Sequence, residues 1–352
     1  MPLTIAIMTG GGDCPGLNAA IRTLVRAAER DGTRVIGILN GFEGLAERRF
    51  VPLSAIDVRG VLRVGGTVLG SSTRLDPFLR TEPDGSVTDL TDAVREGLRT
   101  LDADAVVMIG GDGTHYLMHH LRDHDGGPRI IGIPKTIDND VHGTDYAIGF
   151  DTCADFVTDA VGRMHATAAS HQRVILIEVM GRTAGWVALY AGLAGGADAV
   201  LLPEVPYTLA GLRSVIERRN TDGRAFTIIV VAEGIGNPQD APELMDAGSG
   251  DCVSGRIADA LRPGLQQQVR SLVLGHLQRG GDPTGTDRVR AMMLAHTAYL
   301  AAMNGRDKVM AALRGNTTTL VDFDDVVQGP RLVPLDHPLL RMAMETGVYV
   351  GE

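Results

Sequence analysis

Eight short apolar runs rich in β-branched residues constrain the fold of this chain more than any other feature. They are TIAIM (4–8), RVIGIL (34–39), AVVMI (105–109), RIIGI (129–133), RVILIEV (173–179), DAVLL (198–202), FTIIVVA (226–232) and SLVLG (271–275). Their hydrophobicity is nearly continuous, the pattern of parallel strands covered on both faces. Helical periodicity fills several of the intervals. Examples are GLNAAIRTLVRAAERDG (16–32), where Gly32 reads as a C-terminal stop, and TDAVREGLRTL (91–101). Strand alternating with helix predicts the α/β class, doubly wound with mainly parallel sheets. The 352 residues leave room for about two domains. No solenoid period and no low-complexity tract interrupts the pattern, and residues 236–252 read as a surface loop.

Composition narrows the function classes. A net charge of −10 argues against nucleic acid or an anionic membrane as the principal partner, so an anionic ligand must be held by local arginines and backbone amides. The N-terminus has no basic signal region, and no apolar run approaches the length of a membrane span, which predicts a cytoplasmic protein. Cys14, Cys153 and Cys252 are few and far apart, so they read as reduced thiols, with Cys14 open to exposure in a glycine loop.

In open α/β sheets ligands bind beyond the carboxyl ends of the strands, so the residues following each run are the candidate site. TGGGDCPG follows the first run, GGDGT the third and PKTIDND the fourth. The first places glycines between a strand and a helix start, where free amides and the helix dipole favour phosphate. Its spacing matches neither the dinucleotide fingerprint nor the P-loop. In PKTIDND, Asp138 and Asp140 fit a division of labour in phosphoryl transfer, one accepting a hydroxyl proton and the other holding Mg²⁺. An isolated D-N-D also serves as a turn that satisfies its own backbone. Asp112, between glycines, suits a metal ligand or a helix cap. Downstream, Arg173, Arg182, Arg270 and Arg279 suit phosphate, and Glu233 suits hydroxyls; singly, each arginine also suits an exposed ion pair.

GGDCPGLNAAIR, GGTVLGSS, GGDGT, PKTIDND, GTDYAIGFDT, SHQRVILIEVMGR, GGADAVLLPE and GHLQRGG occur in this order from about Ile5 to Gly281. As a set they resemble the bacterial, non-ribokinase 6-phosphofructokinases. The resemblance implies two domains, 1–149 plus about 278–325 for the phosphoryl donor and 150–277 plus about 326–352 for the sugar phosphate, with the active site in the cleft between them. It implies fructose 6-phosphate as substrate, phosphorylated at its 1-hydroxyl, with Asp138 as catalytic base and Thr136 in the same loop. Asp112 matches the Mg²⁺ position, with Asp140 the second metal candidate, while Gly11, Gly113 and Thr114 match donor-phosphate loops. Met180, Gly181, Arg182, Glu233, His276 and Arg279 match the sugar-phosphate site, and Arg182 also lies near the transferred group. Arg173 and Arg270 match residues supplied by a neighbouring subunit, which implies a homotetramer, with a dimer as the alternative.

The donor markers are mixed. In the family, glycine at position 113 goes with ATP, whereas lysine at position 135 goes with pyrophosphate; this chain has Gly113 and Lys135 together, like a mixed clade that includes ATP-dependent actinobacterial members. Gly113 removes the steric and charge block on a nucleotide, which favours ATP over pyrophosphate. Arg74 is displaced by one residue from its expected place after LGSS, and Leu117 in HYLMHH (115–120) stands where it could crowd an adenine. His115 and His119 lie four apart, a spacing that could serve a metal, but with no third ligand they read as surface or pocket-lining side chains. Arg22 and Arg26 match effector positions of some relatives or an exposed helix face. Two other classes compete: NAD and diacylglycerol kinases, which share GGDGT but lack the succession from PKTIDND to GHLQRGG, and a non-catalytic sugar-phosphate sensor, which has no need of a base.

Overall fold

The computed structural model describes residues 3–72, 79–81, 84–121, 127–245 and 252–351. In chain order its elements begin β1 (Thr4–Thr9), α1 (Leu17–Arg30), β2 (Arg34–Ile38), α2 (Phe42–Ala46), β3 (Phe50–Leu53), β4 (Leu79–Thr81), β5 (Val87–Asp89), α3 (Thr91–Thr100), β6 (Ala105–Gly110), α4 (Asp112–Leu121) and β7 (Arg129–Pro134). There follow α5 (Phe150–His171), β8 (Val174–Val179), α6 (Trp186–Ala194), β9 (Ala199–Leu201), α7 (Leu209–Thr221), β10 (Thr227–Ala232), α8 (Val253–Leu261) and β11 (Val269–Val273). The chain ends with α9 (Gly285–Met303), β12 (Val309–Arg314), β13 (Thr317–Asp322), α10 (Phe323–Val326) and α11 (Pro338–Glu345). It divides into two compact units, Met1–Thr152 with Arg279–Pro330, and Cys153–Gln278 with Arg331–Glu352.

The first unit is built on a seven-stranded sheet in the order β13-β12-β7-β6-β1-β2-β3, parallel except for antiparallel β13 and β3 at its edges. Every residue of β1 and β6 is buried, which is why those runs carry no polar alternation. Leu17, Ala20, Ile21, Leu24, Val25 and Ala28 form one buried stripe of α1, which packs against α9. Gly32 closes α1 in a left-handed conformation (φ 71°), with the Thr33 amide reaching back to the Ala28 carbonyl at 2.8 Å. The order of strands reverses between β1 and β6, since the chain first winds outward to β3 and then returns to build β7, β12 and β13 on the other side. That switch point is where the loops after β1 and β6 come together.

The second unit carries a parallel four-stranded sheet, β11-β8-β10-β9. All six residues of β8 and of β10 are buried between its helices. The β11 strand begins two residues before the run SLVLG because exposed Arg270 hides its start from a hydrophobicity reading. Beside β9 the C-terminal segment returns, with the Val200 amide donating to the Tyr349 carbonyl at 2.8 Å. Among the described residues no helix is long and apolar enough to cross a membrane.

Candidate active site

In the first unit three loops converge at the carboxyl ends of β1, β6 and β7. The Gly10 amide donates to the Ile109 carbonyl at 2.9 Å, and the Lys135 amide to the Gly110 carbonyl at 2.8 Å. Thr114 fills the space between the two glycine loops: a Cβ on Gly10 would stand 2.6 Å from its Cγ2 and one on Gly110 2.5 Å from its Cβ. Both positions therefore exclude a side chain. A fourth segment, GGTVLGSS, is tied to the same place. Asn18 donates to the Val64 carbonyl at 2.9 Å and accepts the Val68 amide at 2.8 Å, and the Ser71 hydroxyl donates to the Gly11 carbonyl. Arg74, named from this segment, lies outside the described residues.

Asp112 opens α4 as its first residue rather than capping it from outside. Its Oδ1 is buried with no hydrogen-bond partner among the described residues. Burial, reinforced by the negative charge of Asp140, pushes the Asp112 carboxyl up. An orphaned carboxylate oxygen facing a second carboxylate is a donor set that a hard divalent cation would satisfy. Gly113 is exposed, and a Cβ there would meet no atom within 4 Å.

The loop from Lys135 to Ala147 uses its uncharged polar side chains on its own backbone. Thr136 Oγ1 accepts the Asp138 amide at 3.1 Å, while Asn139, left-handed at φ 53°, accepts the Ala147 amide at 2.9 Å and donates to the Asp145 carbonyl at 3.1 Å. This bracing sets the backbone on either side of Asp138 and Asp140. The loop leans in turn on the hairpin of β12 and β13: Asp145 accepts the Gly315 amide at 2.6 Å, and Thr144 Oγ1 accepts the Leu313 amide at 3.0 Å. Lys135 is only 4% exposed, and its ammonium donates to the Gly12 carbonyl at 2.5 Å. Burial lowers its pKa.

Two sequence expectations are corrected here. Cys14 is fully buried, its thiol donating to the Ile148 carbonyl at 3.3 Å, and burial pushes it up to about 12. His115 is neither on the surface nor lining a pocket; it is 0% exposed, and burial holds it down to about 4. His119 lies 3.4 Å from Asp324, and no group of three metal-ligating side chains is found among the described residues. Leu117 packs against the unit's apolar core.

In the second unit the loops after β8 and β10 are locked together. The Glu233 amide donates to the Val179 carbonyl at 2.9 Å and the Gly234 amide to the Gly181 carbonyl at 3.2 Å; a Cβ on Gly234 would stand 1.8 Å from the Arg182 carbonyl oxygen. Met180, Gly181, Arg182 and Glu233 are thus brought together, with Arg182 exposed. The structure also shows a residue that the sequence reading passed over. Gln278, 1% exposed, accepts the Met180 amide at 3.1 Å and donates to the Gly275 carbonyl at 3.0 Å, tying the MGR loop to the turn that carries exposed His276. Arg279 belongs to the first unit, with its guanidinium donating to the Asp13 carbonyl at 3.4 Å beside Gly12. Within the second unit Arg173 and Arg270 lie at the amino end of β8, opposite the Met180 loop, and converge on Gln268 Oε1 at 3.2 and 3.4 Å.

The chain resembles known proteins along nearly its whole length. The profile of the family described as Phosphofructokinase matches residues 4–302. The chain is 40% identical over 377 residues to the ATP-dependent 6-phosphofructokinase of Propionibacterium freudenreichii subsp. shermanii, covering 100% of both chains. It is 40% identical to the ATP-dependent 6-phosphofructokinase of Corynebacterium efficiens, covering 97% of this chain and 99% of that one. The crystal structure of Pichia pastoris phosphofructokinase in the T-state superposes with a TM-score of 0.81 at 31% identity, covering 93% of this chain and 38% of that chain.

Proposed function

The chain belongs to the phosphofructokinase family, and from that premise we propose that it phosphorylates fructose 6-phosphate at the 1-hydroxyl, with Mg²⁺-ATP as donor, to give fructose 1,6-bisphosphate. The observation that carries this reading is the meeting of the Gly10–Gly12, Gly110–Thr114 and Lys135–Asp140 loops at one sheet switch point, around a buried carboxylate oxygen with no hydrogen-bond partner among the described residues. Two glycine turns supply amides for the transferred phosphates, and the acidic loop supplies a base.

Asp138 takes the proton from the attacking hydroxyl, held in place by the bracing of Thr136 and Asn139 around it. Asp112 and Asp140 would hold Mg²⁺, which, when bound, neutralises charge on the donor oxygens. Arg182 stabilises the charge of the group in flight, while Met180, Gly181, Glu233 and His276 bind the sugar phosphate. Arg279, beside Gly12, sits at the donor loop and is assigned to the phosphoryl group rather than to the sugar alone. Catalysis on this reading is alignment plus charge neutralisation, with no covalent intermediate.

ATP is favoured over pyrophosphate for two reasons. A Cβ on Gly113 would meet no atom within 4 Å, and its absence leaves no side chain there to block a nucleotide. Lys135, the residue that points toward pyrophosphate, is buried with its ammonium on the Gly12 carbonyl, where it braces the donor loop. The names of the two bacterial relatives agree with ATP. The pairing of Arg173 and Arg270 on Gln268, at the amino end of β8 and away from the Met180–Arg182 loop at its carboxyl end, supports their service to a neighbouring subunit of a homo-oligomer. A cytoplasmic location belongs to the same proposal.

The test is a coupled assay with fructose 6-phosphate and Mg²⁺, supplying ATP in one arm and pyrophosphate in the other. Turnover with ATP is expected; turnover with pyrophosphate alone would reverse the donor assignment, and none with either would favour a sensor. In the Asp138→Ala variant turnover should vanish while sugar-phosphate binding persists.

A further inference from the structure

His115 stands directly beneath the Gly110–Thr114 turn, on the first turns of α4, and its surroundings are built for it. The ring is 0% exposed and meets Phe323 edge-on, with centroids 5.6 Å apart. A Cβ on Gly132, in the interior of β7, would stand 2.6 Å from His115 Nε2, so a glycine in mid-strand makes the niche that admits the ring. Nδ1 lies 2.7 Å from the Gly111 carbonyl oxygen, which also accepts the His115 backbone amide at 3.1 Å. Nε2 has no hydrogen-bond partner among the described residues, so the neutral ring carries its proton on Nδ1 and donates it to Gly111.

A side chain whose task was to fill this niche would be hydrocarbon, because the imidazole leaves one buried nitrogen unsatisfied. What imidazole adds over leucine or methionine is the Nδ1–H. We propose that His115 is a positioning residue that pins the Gly111 carbonyl inward, so that the Asp112 carboxylate and the amides of Gly113 and Thr114 are presented outward to the donor phosphates. This rests on the reading that the turn receives the donor, and it gives a role to the HYLMHH segment that the mechanism leaves unused.

The two roles predict opposite rankings of two variants. His115→Asn keeps a donor within reach of Gly111 but leaves space unfilled; His115→Leu fills the space and removes the donor. Hydrogen exchange at the 112–114 amides and the KM values for ATP and for fructose 6-phosphate are measured for both variants and the wild type. Pinning predicts faster exchange in His115→Leu, with KM for ATP raised about tenfold and KM for fructose 6-phosphate within about twofold, and near wild-type behaviour in His115→Asn. Equal exchange in all three proteins, or loosening in His115→Asn but not in His115→Leu, would overturn it. Should His115→Leu fail to fold, His115→Met, whose flexible side chain fills irregular space, carries the same comparison. A wild-type protein inactive with ATP whose exchange follows the pinning order would discard the functional reading and keep the positioning role.

Discussion

His115 should make the first unit acid-sensitive in a window set by its burial. Burial holds its folded-state pKa down to about 4 against an ordinary value of 6.5, because a proton on Nε2 would be held in an apolar niche with no acceptor among the described residues. Between those two values the unfolded chain binds the proton and the folded chain does not, so stability is complete above 6.5 and is lost as the pH falls toward 4. Integration of this difference from about pH 7.5 to about pH 5 gives a loss of about 2 kcal/mol from this residue alone. The assay is native-state hydrogen exchange of peptides covering β6 and β7, the strands beside His115, comparing wild type with His115→Leu at both pH values. The stability of wild type relative to the variant should shrink by about 2 kcal/mol on acidification, because only the wild type has this proton to take up. The same change with pH in both proteins would refute the assignment of a buried neutral imidazole.

Three further outcomes are expected. Gly132→Ala drives a methyl to 2.6 Å from the His115 ring and 2.9 Å from Phe323, and should cost about 1–3 kcal/mol, read as a lowered thermal midpoint; an unchanged midpoint would show that the niche has slack. Gly113→Asp adds its side chain in open space and should fold normally, yet raise KM for ATP about tenfold or more by charge repulsion; an unaltered KM would separate Gly113 from the donor site. A thiol-specific disulfide reagent at about pH 8 should label Cys252 and leave Cys14 and Cys153 unlabelled in the native protein, because both are buried and the Cys14 thiol is held up to about 12; rapid labelling of Cys14 on peptide mapping would contradict its burial.

Strands β1, β6, β8 and β10 were legible because every residue of each is buried, so AVVMI or FTIIVVA needs no context to be read. The hairpin of β12 and β13 was not. VMAALR looks helical by its alanines, and TTTLVD alternates between exposed and half-buried residues, although Gly315 and Asn316 between them are a turn signal that could have found it. The phosphate loops and carboxylates were legible as ordered motifs. The groups that hold them, His115, Asn139 and Gln278, were not, because each makes its key bond to a backbone atom that only the folded chain brings near. Cys14 failed for the same reason: a thiol in a glycine loop suggests exposure until the loop folds back under the Ile148 carbonyl.

The support that the hairpin gives the acidic loop has a consequence for biosynthesis. The Asp145 carboxylate waits for the Gly315 amide, 170 positions further along, and β7 stays an open edge until β12 is available to pair with it. Folding of nascent chains generally proceeds from the N-terminus as each domain emerges from the ribosome. Here residues 1–152 can leave the exit tunnel and still lack the strand that completes their sheet. The loop bearing Asp138 is therefore finished by residues translated 170 positions after Asp145, and a chain stalled before Val309 carries its motifs without the scaffold that aims them.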